Sequence, residues 1–194
     1  TTSTTSYSTD YRMAGLTLLK TVQNNSASGA LSHTINAYEL TNLGPSRYWA
    51  KLTLTDSVPG YQRHLVTEYS GYDAFGNPTY WTERGDPANP NDDIIRQRTF
   101  VTRYDGLGML NLVSTDSGSH AVDGALSRTR YYYDGGGLGS VPWKGELVKV
   151  EREKTLNAFV ARQMFYDLNG NLRRELDELN AATMYTYDPT FELH

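Results

Sequence analysis

The sequence predicts an all-β fold built from stacked β-hairpins, and three observations lead to that prediction. The 194 residues include 15 Tyr against 5 Phe, together with many Thr and Val, and these residue types favour β-strands. Seventeen Gly, with many Asn, Asp and Ser, supply turns. A short turn motif also recurs between segments that alternate polar and apolar residues, as half-buried strands do. Patterns with the helical period are scarce.

The recurring motif is a Tyr-Asp pair followed by Gly. The pair occurs five times, with steps of 32, 29, 33 and 21 residues between successive tyrosines. In four of the five copies a Gly stands four places after the Tyr, and in two of these an Asn follows the Gly. A weaker copy begins at Tyr11-Arg12 and lacks the Asp. We predict a structural role for the motif residues Tyr72, Asp73, Gly76, Asn77, Tyr104, Asp105, Gly108, Tyr133, Asp134, Gly137, Tyr166, Asp167, Gly170, Asn171, Tyr187 and Asp188.

The chemistry of the motif predicts a hairpin turn. An Asp at the first position of a type I turn accepts hydrogen bonds from backbone N–H groups further along the turn. A Gly at the fourth position adopts the left-handed conformation because it has no Cβ to clash. The segments 73–76 and 167–170 fit both requirements. A type I turn followed by a left-handed residue is a common hairpin connection.

Strand-like segments lie on both sides of these turns. They are residues 98–104, 127–133 and 182–187 before the turns, and 109–114 and 171–176 after them. Each unit is therefore predicted to be a strand, an Asp-Gly turn, a second strand and a looser return loop. The first sixty residues are less regular, with predicted strands at 15–22, 34–40 and 47–55.

The hexapeptide Tyr-Asp-x-x-Gly-Asn, at 72–77 and 166–171, resembles the signature of YD repeats. These repeats occur in bacterial Rhs proteins, in the B and C components of insecticidal toxin complexes, and in animal teneurins. The segment 104–108 is similar to a bacterial form of the repeat. The resemblance runs from about residue 65 to the C-terminus. We therefore divide the chain into an irregular β-segment, 1–60, and a repeat array, 61–194, and expect it to be a fragment of a longer chain.

The resemblance implies a role as well as a fold. In this family, strands spiral into a large hollow shell, which encloses a toxic C-terminal domain or, in teneurins, forms a barrel on an adhesion receptor. We therefore expect part of a curved, solenoid-like shell in a secreted or cell-surface protein. The expected partners are flanking repeats, the C-terminal domain of the same chain, and other toxin-complex subunits or surface glycans. Some members cleave themselves through a repeated Asp-Pro-x-Gly motif, but Asp86-Pro87 and Asp188-Pro189 lack the Gly that should follow.

Other chemistries have little support in the sequence. The net charge is −4 and the charges are interspersed, so no basic stripe indicates nucleic-acid binding. No stretch approaches the apolar length of a membrane span. There is no cysteine, which excludes disulfides and thiolate ligands within these residues, and the Gly-rich segment 135–139 lacks the Lys of a phosphate loop. We predict no catalytic, cofactor-binding or metal-binding residues; the scattered histidines are His33, His64, His120 and His194.

Three alternatives stay open. A glycan- or receptor-binding module would use exposed aromatic rings, with Trp49, Trp81 and Trp143 as candidates for sugar stacking. A small β-rich hydrolase would need a convergent pair of acidic residues in a cleft. A calcium site would draw on a polar loop whose spacing fits no EF-hand. The side-chain oxygens of that loop belong to Asp86, Asn89, Asn91, Asp92 and Asp93.

Overall fold

The computed structural model describes residues 2–23, 30–45, 47–59, 65–85, 89–103, 108–120, 122 and 124–188. These residues form thirteen β-strands and two short 3₁₀ helices, Tyr11–Met13 and Pro90–Asp92. The all-β prediction is confirmed. The strands are β1 (Thr2–Tyr7), β2 (Thr17–Gln23), β3 (Ala30–Gly44), β4 (Arg47–Pro59), β5 (Leu65–Tyr72), β6 (Pro78–Arg84), β7 (Ile94–Arg103), β8 (Met109–His120), β9 (Gly124–Tyr133), β10 (Leu147–Thr155), β11 (Ala158–Tyr166), β12 (Leu172–Leu176) and β13 (Ala182–Met184).

Strands that follow one another in the chain are also neighbours in the sheet, whose order runs from β1 to β13. Antiparallel neighbours need only hairpin connections, as the repeated turn motif predicts. Contacts divide the chain into two compact units, Thr1–Arg96 with Ser119–Gly124 and Gln97–Gly118 with Ala125–His194. The sequence-based boundary near residue 60 stays a prediction.

The first unit contains the antiparallel series from β1 to β6. Trp81 on β6 is only 9% exposed, and it is the register partner of Tyr69 on β5. Their ring centroids lie 6.4 Å apart, so the pair packs across the two strands. Beside them, Arg84 contacts both Glu68 and the buried Asp93. Aromatic packing and ion pairs thus hold neighbouring strands together in this unit.

The second unit contains the antiparallel series from β9 to β13. Val101 and Met164 are buried apolar side chains here, and Pro142 is fully buried in the connection between β9 and β10. On one sheet face, the guanidinium of Arg130 lies 3.9 Å from the ring centroid of Phe159. Cations over aromatic rings cover apolar surface while the charge stays near water. Few described side chains are buried in either unit, which fits a sheet with solvated faces.

Candidate functional site

The turn after β11 shows the motif in its simplest form. Asp167 Oδ1 accepts hydrogen bonds from the backbone N–H groups of Asn169 and Asn171, both at 2.9 Å. Asp167 Oδ2 accepts from Asn171 Nδ2 at 3.2 Å and from Arg173 Nε at 2.9 Å. The N–H of Gly170 donates to the Asp167 carbonyl, and Gly170 has a φ of +83°. The Asp side chain thus satisfies turn N–H groups that no neighbouring strand can reach.

The turn after β5 repeats this geometry. Asp73 Oδ1 accepts from the N–H groups of Phe75 and Asn77, and Asp73 Oδ2 accepts from Asn77 Nδ2, all at 2.9 Å. Gly76 has a φ of +89°. A Cβ at Gly76 would lie 3.2 Å from the ring of Trp49, so the Gly also lets the indole approach the turn. The predicted hairpin turn is therefore present at both complete hexapeptides.

The turn after β9 corrects one prediction. The sequence assigns the left-handed position to Gly137, but Gly137 lies outside the left-handed region, whereas Gly145 has a φ of +84°. The N–H of Asp134 donates to the carbonyl of Glu146, which directly follows Gly145. In the turns after β5 and β11, the corresponding hydrogen bond, from the Asp N–H to the carbonyl that follows the Gly, joins residues four positions apart. In the turn after β9 it joins residues twelve positions apart, so this copy contains eight extra residues. Counting four places from Tyr133 could not find the turn glycine across this insertion.

Asp134 organises the longer loop through four backbone N–H groups. Its Oδ2 accepts from Trp143, Lys144 and Gly145 at 2.6, 2.9 and 3.0 Å, and its Oδ1 accepts from Glu146 at 2.8 Å. Asp134 itself has a φ of +54°, which an Asp tolerates better than most residues. The carboxylate therefore closes the longer connection between β9 and β10 in the way that Asp73 and Asp167 close the short ones.

These hydrogen bonds lower the pKa of Asp167 and of Asp134. The pKa of Asp167 is lowered to about 2, chiefly by the hydrogen bond from the Asn171 N–H, with burial opposing and with further lowering by the Asn171 side chain and Arg173. Burial raises the pKa of Asp134, but the hydrogen bonds from its backbone donors outweigh burial and the net shift is downward. The fold therefore favours the charged form of both aspartates, because that form accepts the turn hydrogen bonds.

A return turn also has this geometry, although a looser loop was expected. Between β12 and β13, Asp177 Oδ1 accepts from the N–H groups of Leu179 and Ala181, both at 2.8 Å. The N–H of Asn180 donates to the Asp177 carbonyl, and Asn180 has a φ of +64°. Asn thus replaces Gly at the left-handed position, as it does more readily than other residues. The Tyr-Asp-x-x-Gly pattern does not identify this turn, because the turn contains neither the Tyr nor the Gly.

The motif tyrosines have a shared contact that the sequence did not reveal. Among the described residues, five tyrosine hydroxyls, four of them from motif tyrosines, each donate to a backbone carbonyl of the preceding strand, 15 to 21 residues earlier. Four of these bonds measure between 2.9 and 3.2 Å. Tyr38, which has no Asp after it, belongs to the same series. The five donor and acceptor pairs are Tyr38 with Thr17, Tyr72 with Leu52, Tyr133 with Val113, Tyr166 with Leu147, and Tyr187 with Leu172.

Four of the acceptor carbonyls lie at β-bulges. Tyr133 pairs with Leu147 and Tyr132 with Lys149, so Val148 is an extra residue in β10. The same register shift occurs at Thr17, Leu52 and Leu172, which pair with Tyr7, Tyr38 and Tyr166. A bulge interrupts the ladder of backbone hydrogen bonds. The tyrosine hydroxyl of the next unit therefore binds a carbonyl where the ladder is broken. We call this series of contacts the tyrosine relay.

The relay extends into the less regular first sixty residues. Tyr7 at the end of β1 pairs with Thr17, and Thr17 accepts from Tyr38. The N–H of Ser8 donates to the Leu16 carbonyl, next to Gly15 with its φ of +83°. The weaker copy of the motif therefore starts at Tyr7, and its Gly is preserved. The expected start at Tyr11 is wrong, because Tyr11 begins the 3₁₀ helix within this loop.

Several sequence predictions fall outside the described residues. They concern Tyr104, Asp105, His64, His194 and the two Asp-Pro steps at 86–87 and 188–189, of which only Asp188 is described. Gly108, the glycine of the second motif copy, is described and has a φ of +61°. In the polar loop near residue 90, the Asp93 carboxylate binds Arg84 Nη1 at 2.6 Å. No group of three or more metal-ligating side chains occurs among the described residues.

The comparisons with known proteins bear on the fold. No family model and no curated protein matches the chain. The fold is similar to that of a chain in the crystal structure of TcdB2-TccC3-Cdc42, with a TM-score of 0.54 and 9% sequence identity. The match covers 91% of this chain and 16% of the other. The chain therefore spans about a sixth of a toxin-complex component with the same β-fold. No described helix has the length and apolar character needed to cross a membrane.

Proposed function

We propose that this chain is a wall segment of a YD/Rhs-type shell, which encloses or presents a C-terminal toxin domain in a large secreted or cell-surface protein. The tyrosine relay is the observation that carries the proposal. Each motif tyrosine that the structure describes donates its hydroxyl to the strand before it, so one unit supplies a hydrogen bond to its neighbour. The similarity to a toxin-complex component lends support at the level of the fold.

The relay suits a wall because it can continue from unit to unit. Tyr133 pairs with Leu147, Leu147 accepts from Tyr166, and Tyr166 pairs with the next acceptor, Leu172. Stacked repeats of this kind bury surface only against their neighbours, so further repeats can be added through the same contacts. A thin sheet with few buried side chains is a poor core for an isolated domain, but it can serve as a partition.

The proposed role is structural, and we propose that the segment performs no catalysis and holds no cofactor or metal. Its partners would be flanking repeats, the C-terminal domain of the same chain and other toxin-complex subunits. Binding of nucleic acid is not proposed, because the net charge is −4 and several of the described strand arginines are paired with carboxylates. Arg128 with Glu153 and Arg162 with Glu175 are examples of that pairing.

A protection experiment tests enclosure. In the complete protein that carries this chain, a protease site placed in the C-terminal domain should resist cleavage under native conditions. Gly170→Val in the wall should increase the cleavage rate, since a β-branched residue resists the φ of +83°. Gly137→Ala, at a glycine outside the left-handed region, is the matched control. Equal, rapid cleavage in the native protein and in both variants would contradict enclosure.

A further inference from the structure

The three tryptophans differ sharply in their surroundings. Trp81 is 9% exposed and its Nε1 donates to Glu83. Trp49 packs against Gly76 and lies edge-on to Tyr72, with a centroid distance of 5.7 Å. Trp143, in contrast, is 58% exposed, and its indole N–H has no hydrogen bond among the described residues. Packing therefore accounts for Trp49 and Trp81 but not for Trp143.

Trp143 is held rigidly despite its exposure. It belongs to the eight-residue insertion of the Asp134 turn, and its N–H donates to Asp134 Oδ2 at 2.6 Å. Its carbonyl accepts from Arg103 Nη1, also at 2.6 Å, and the preceding Pro142 is fully buried. Insertions in repeat proteins often form the binding face. Holding a large aromatic ring in water before any ligand arrives lowers the entropy lost on binding.

A cleft of about 530 Å³ adjoins the ring, within the usual range of ligand clefts of about 300–1,000 Å³. Tyr132, Phe165 and Gln163 line it together with Trp143 and the Cβ-free Gly135. A second, smaller cleft is also lined by Trp143, together with Lys144. The Lys144 ammonium lies 4.8 Å from the indole centroid. Lys144 does not line the larger cleft, and the cation in the lining of that cleft is Lys149.

The charges around the larger cleft argue for a neutral ligand. Lys149 Nζ is paired with Glu151 Oε1 at 2.9 Å, and Glu146 Oε1 lies 3.4 Å from Lys144 Nζ. The Asp134 carboxylate is occupied by four N–H groups. The Gln163 amide has no hydrogen bond among the described residues, so it can both donate and accept. An ionic ligand would have to break an existing pair, whereas a ligand with hydroxyl groups would not.

The backbone around the cleft argues against a bound peptide strand. Lys149 pairs with Tyr132 on one side and Gln163 on the other, so β10 has no free edge here. A peptide that adds a strand needs such an edge. The cleft therefore suits a neutral ligand that has an apolar face and hydroxyl groups around its edge. Pyranose rings have both features.

We propose that the cleft between Trp143 and Gln163 binds a neutral pyranose unit of a glycan. The ring stacks on the exposed indole, and the Gln163 amide bonds a hydroxyl pair at its rim. The indole N–H supplies a further donor. This activity is independent of the proposed wall role, because it uses the inserted loop and not the relay.

A glycan array tests the assignment. The 194-residue chain, immobilised on multivalent beads, is incubated with neutral hexose and N-acetylhexosamine oligosaccharides and with sialylated and sulfated ones. We expect neutral glycans to bind, with a loss of at least about tenfold in Trp143→Ala and in Gln163→Leu. Trp143→Phe should retain part of the binding, since it keeps a stacking ring. Leu156→Ala, which truncates an 84% exposed side chain on another turn, should bind as the unaltered chain does.

Three results would overturn the proposal. They are the absence of neutral glycan binding, binding of anionic glycans alone, and neutral binding that survives both Trp143→Ala and Gln163→Leu. Circular dichroism of each variant establishes that it is folded. If Trp143→Ala fails to fold, Gln163→Leu and Trp143→Phe decide, since Gln163→Leu leaves the inserted loop unchanged and Trp143→Phe keeps an aromatic ring at that position.

Discussion

The hydroxyl of Tyr166 donates to the carbonyl oxygen of Leu147 across a distance of 2.9 Å. Leu147 lies at the β-bulge of the preceding strand, where the regular ladder is interrupted. Burial raises the pKa of Tyr166, so the hydroxyl remains a donor over the ordinary pH range. The bulge leaves the Leu147 carbonyl without a regular ladder partner, and the Tyr166 hydroxyl of the next unit supplies the missing hydrogen bond.

Replacement of Tyr166 by Phe tests the energetic value of this bond. Tyr166→Phe should lower the free energy of unfolding by roughly 1 kcal/mol, because it keeps the ring but leaves the Leu147 carbonyl without its donor. Urea denaturation followed by far-ultraviolet circular dichroism measures the change. Tyr7→Phe is the control, since the Tyr7 side chain is 57% exposed and its hydroxyl has no hydrogen bond among the described residues. Equal stability losses in the two variants would contradict a special role for the relay hydroxyl.

The assignment of Gly145 as the turn glycine predicts a contrast with Gly137. Gly145→Ala should destabilise the chain by about 1 kcal/mol or more, because the φ of +84° strains any residue with a Cβ. Gly137→Ala should change stability by less than about 0.5 kcal/mol, since its nearest neighbour, Ser140 Oγ at 3.5 Å, is at ordinary contact distance. Thermal melts of both variants provide the comparison. The reverse order of melting temperatures would restore the assignment made from sequence spacing.

The return turn predicts the effects of substituting Asn180. Its side chain makes no hydrogen bond among the described residues, so Asn180→Ala changes mainly the ease of reaching a φ of +64°. We expect Asn180→Ala to lower the free energy of unfolding by about 1 kcal/mol and Asn180→Gly to leave it within about 0.5 kcal/mol. Urea titration measures both variants. Glu178→Ala, in the same turn, is the control, because it shows how far any substitution in this turn lowers stability without a change of backbone strain. If Ala and Gly have the same effect, Asn180 is not strained.

Acid should weaken the fold through protonation of Asp167. The pKa of Asp167 is lowered from 3.8 to about 2, so its stabilising contribution is present above pH 3.8 and is lost as the pH falls toward 2. Asp167→Asn should be less stable near neutral pH and should lose stability less steeply in that acid range. Urea midpoints measured at several pH values give the two slopes. Parallel curves for the two proteins would show that Asp167 does not titrate as its hydrogen bonds require.

The part of the fold that depends on local chemistry was accessible from the sequence. The Asp73 and Asp167 turns follow from hydrogen bonds and backbone preferences within five residues, so the hexapeptide was enough to place them. The Asp134 turn was not accessible, because its glycine lies beyond an eight-residue insertion. One signal in the sequence could have indicated this turn glycine: Gly145 stands directly before Glu146 and the strand-like segment that follows.

The tyrosine relay was inaccessible for a different reason. Its bonds join residues 15 to 21 positions apart, and they depend on where each bulge shifts the register. A register shift leaves no compositional trace when the residues beside it are ordinary strand formers, as Val148 is. The sequence therefore identified the tyrosines as important without identifying their contacts. In the same way, it could name three tryptophans but could not tell that Trp143 alone among them is exposed.

A cryo-electron microscopy reconstruction of the complete protein that carries this chain tests the wall role most directly. The account predicts a hollow particle, walled by strands in chain order, with the Asp73, Asp134 and Asp167 turns aligned along the wall. A compact particle without an internal cavity, or one in which these turns do not align, would contradict it.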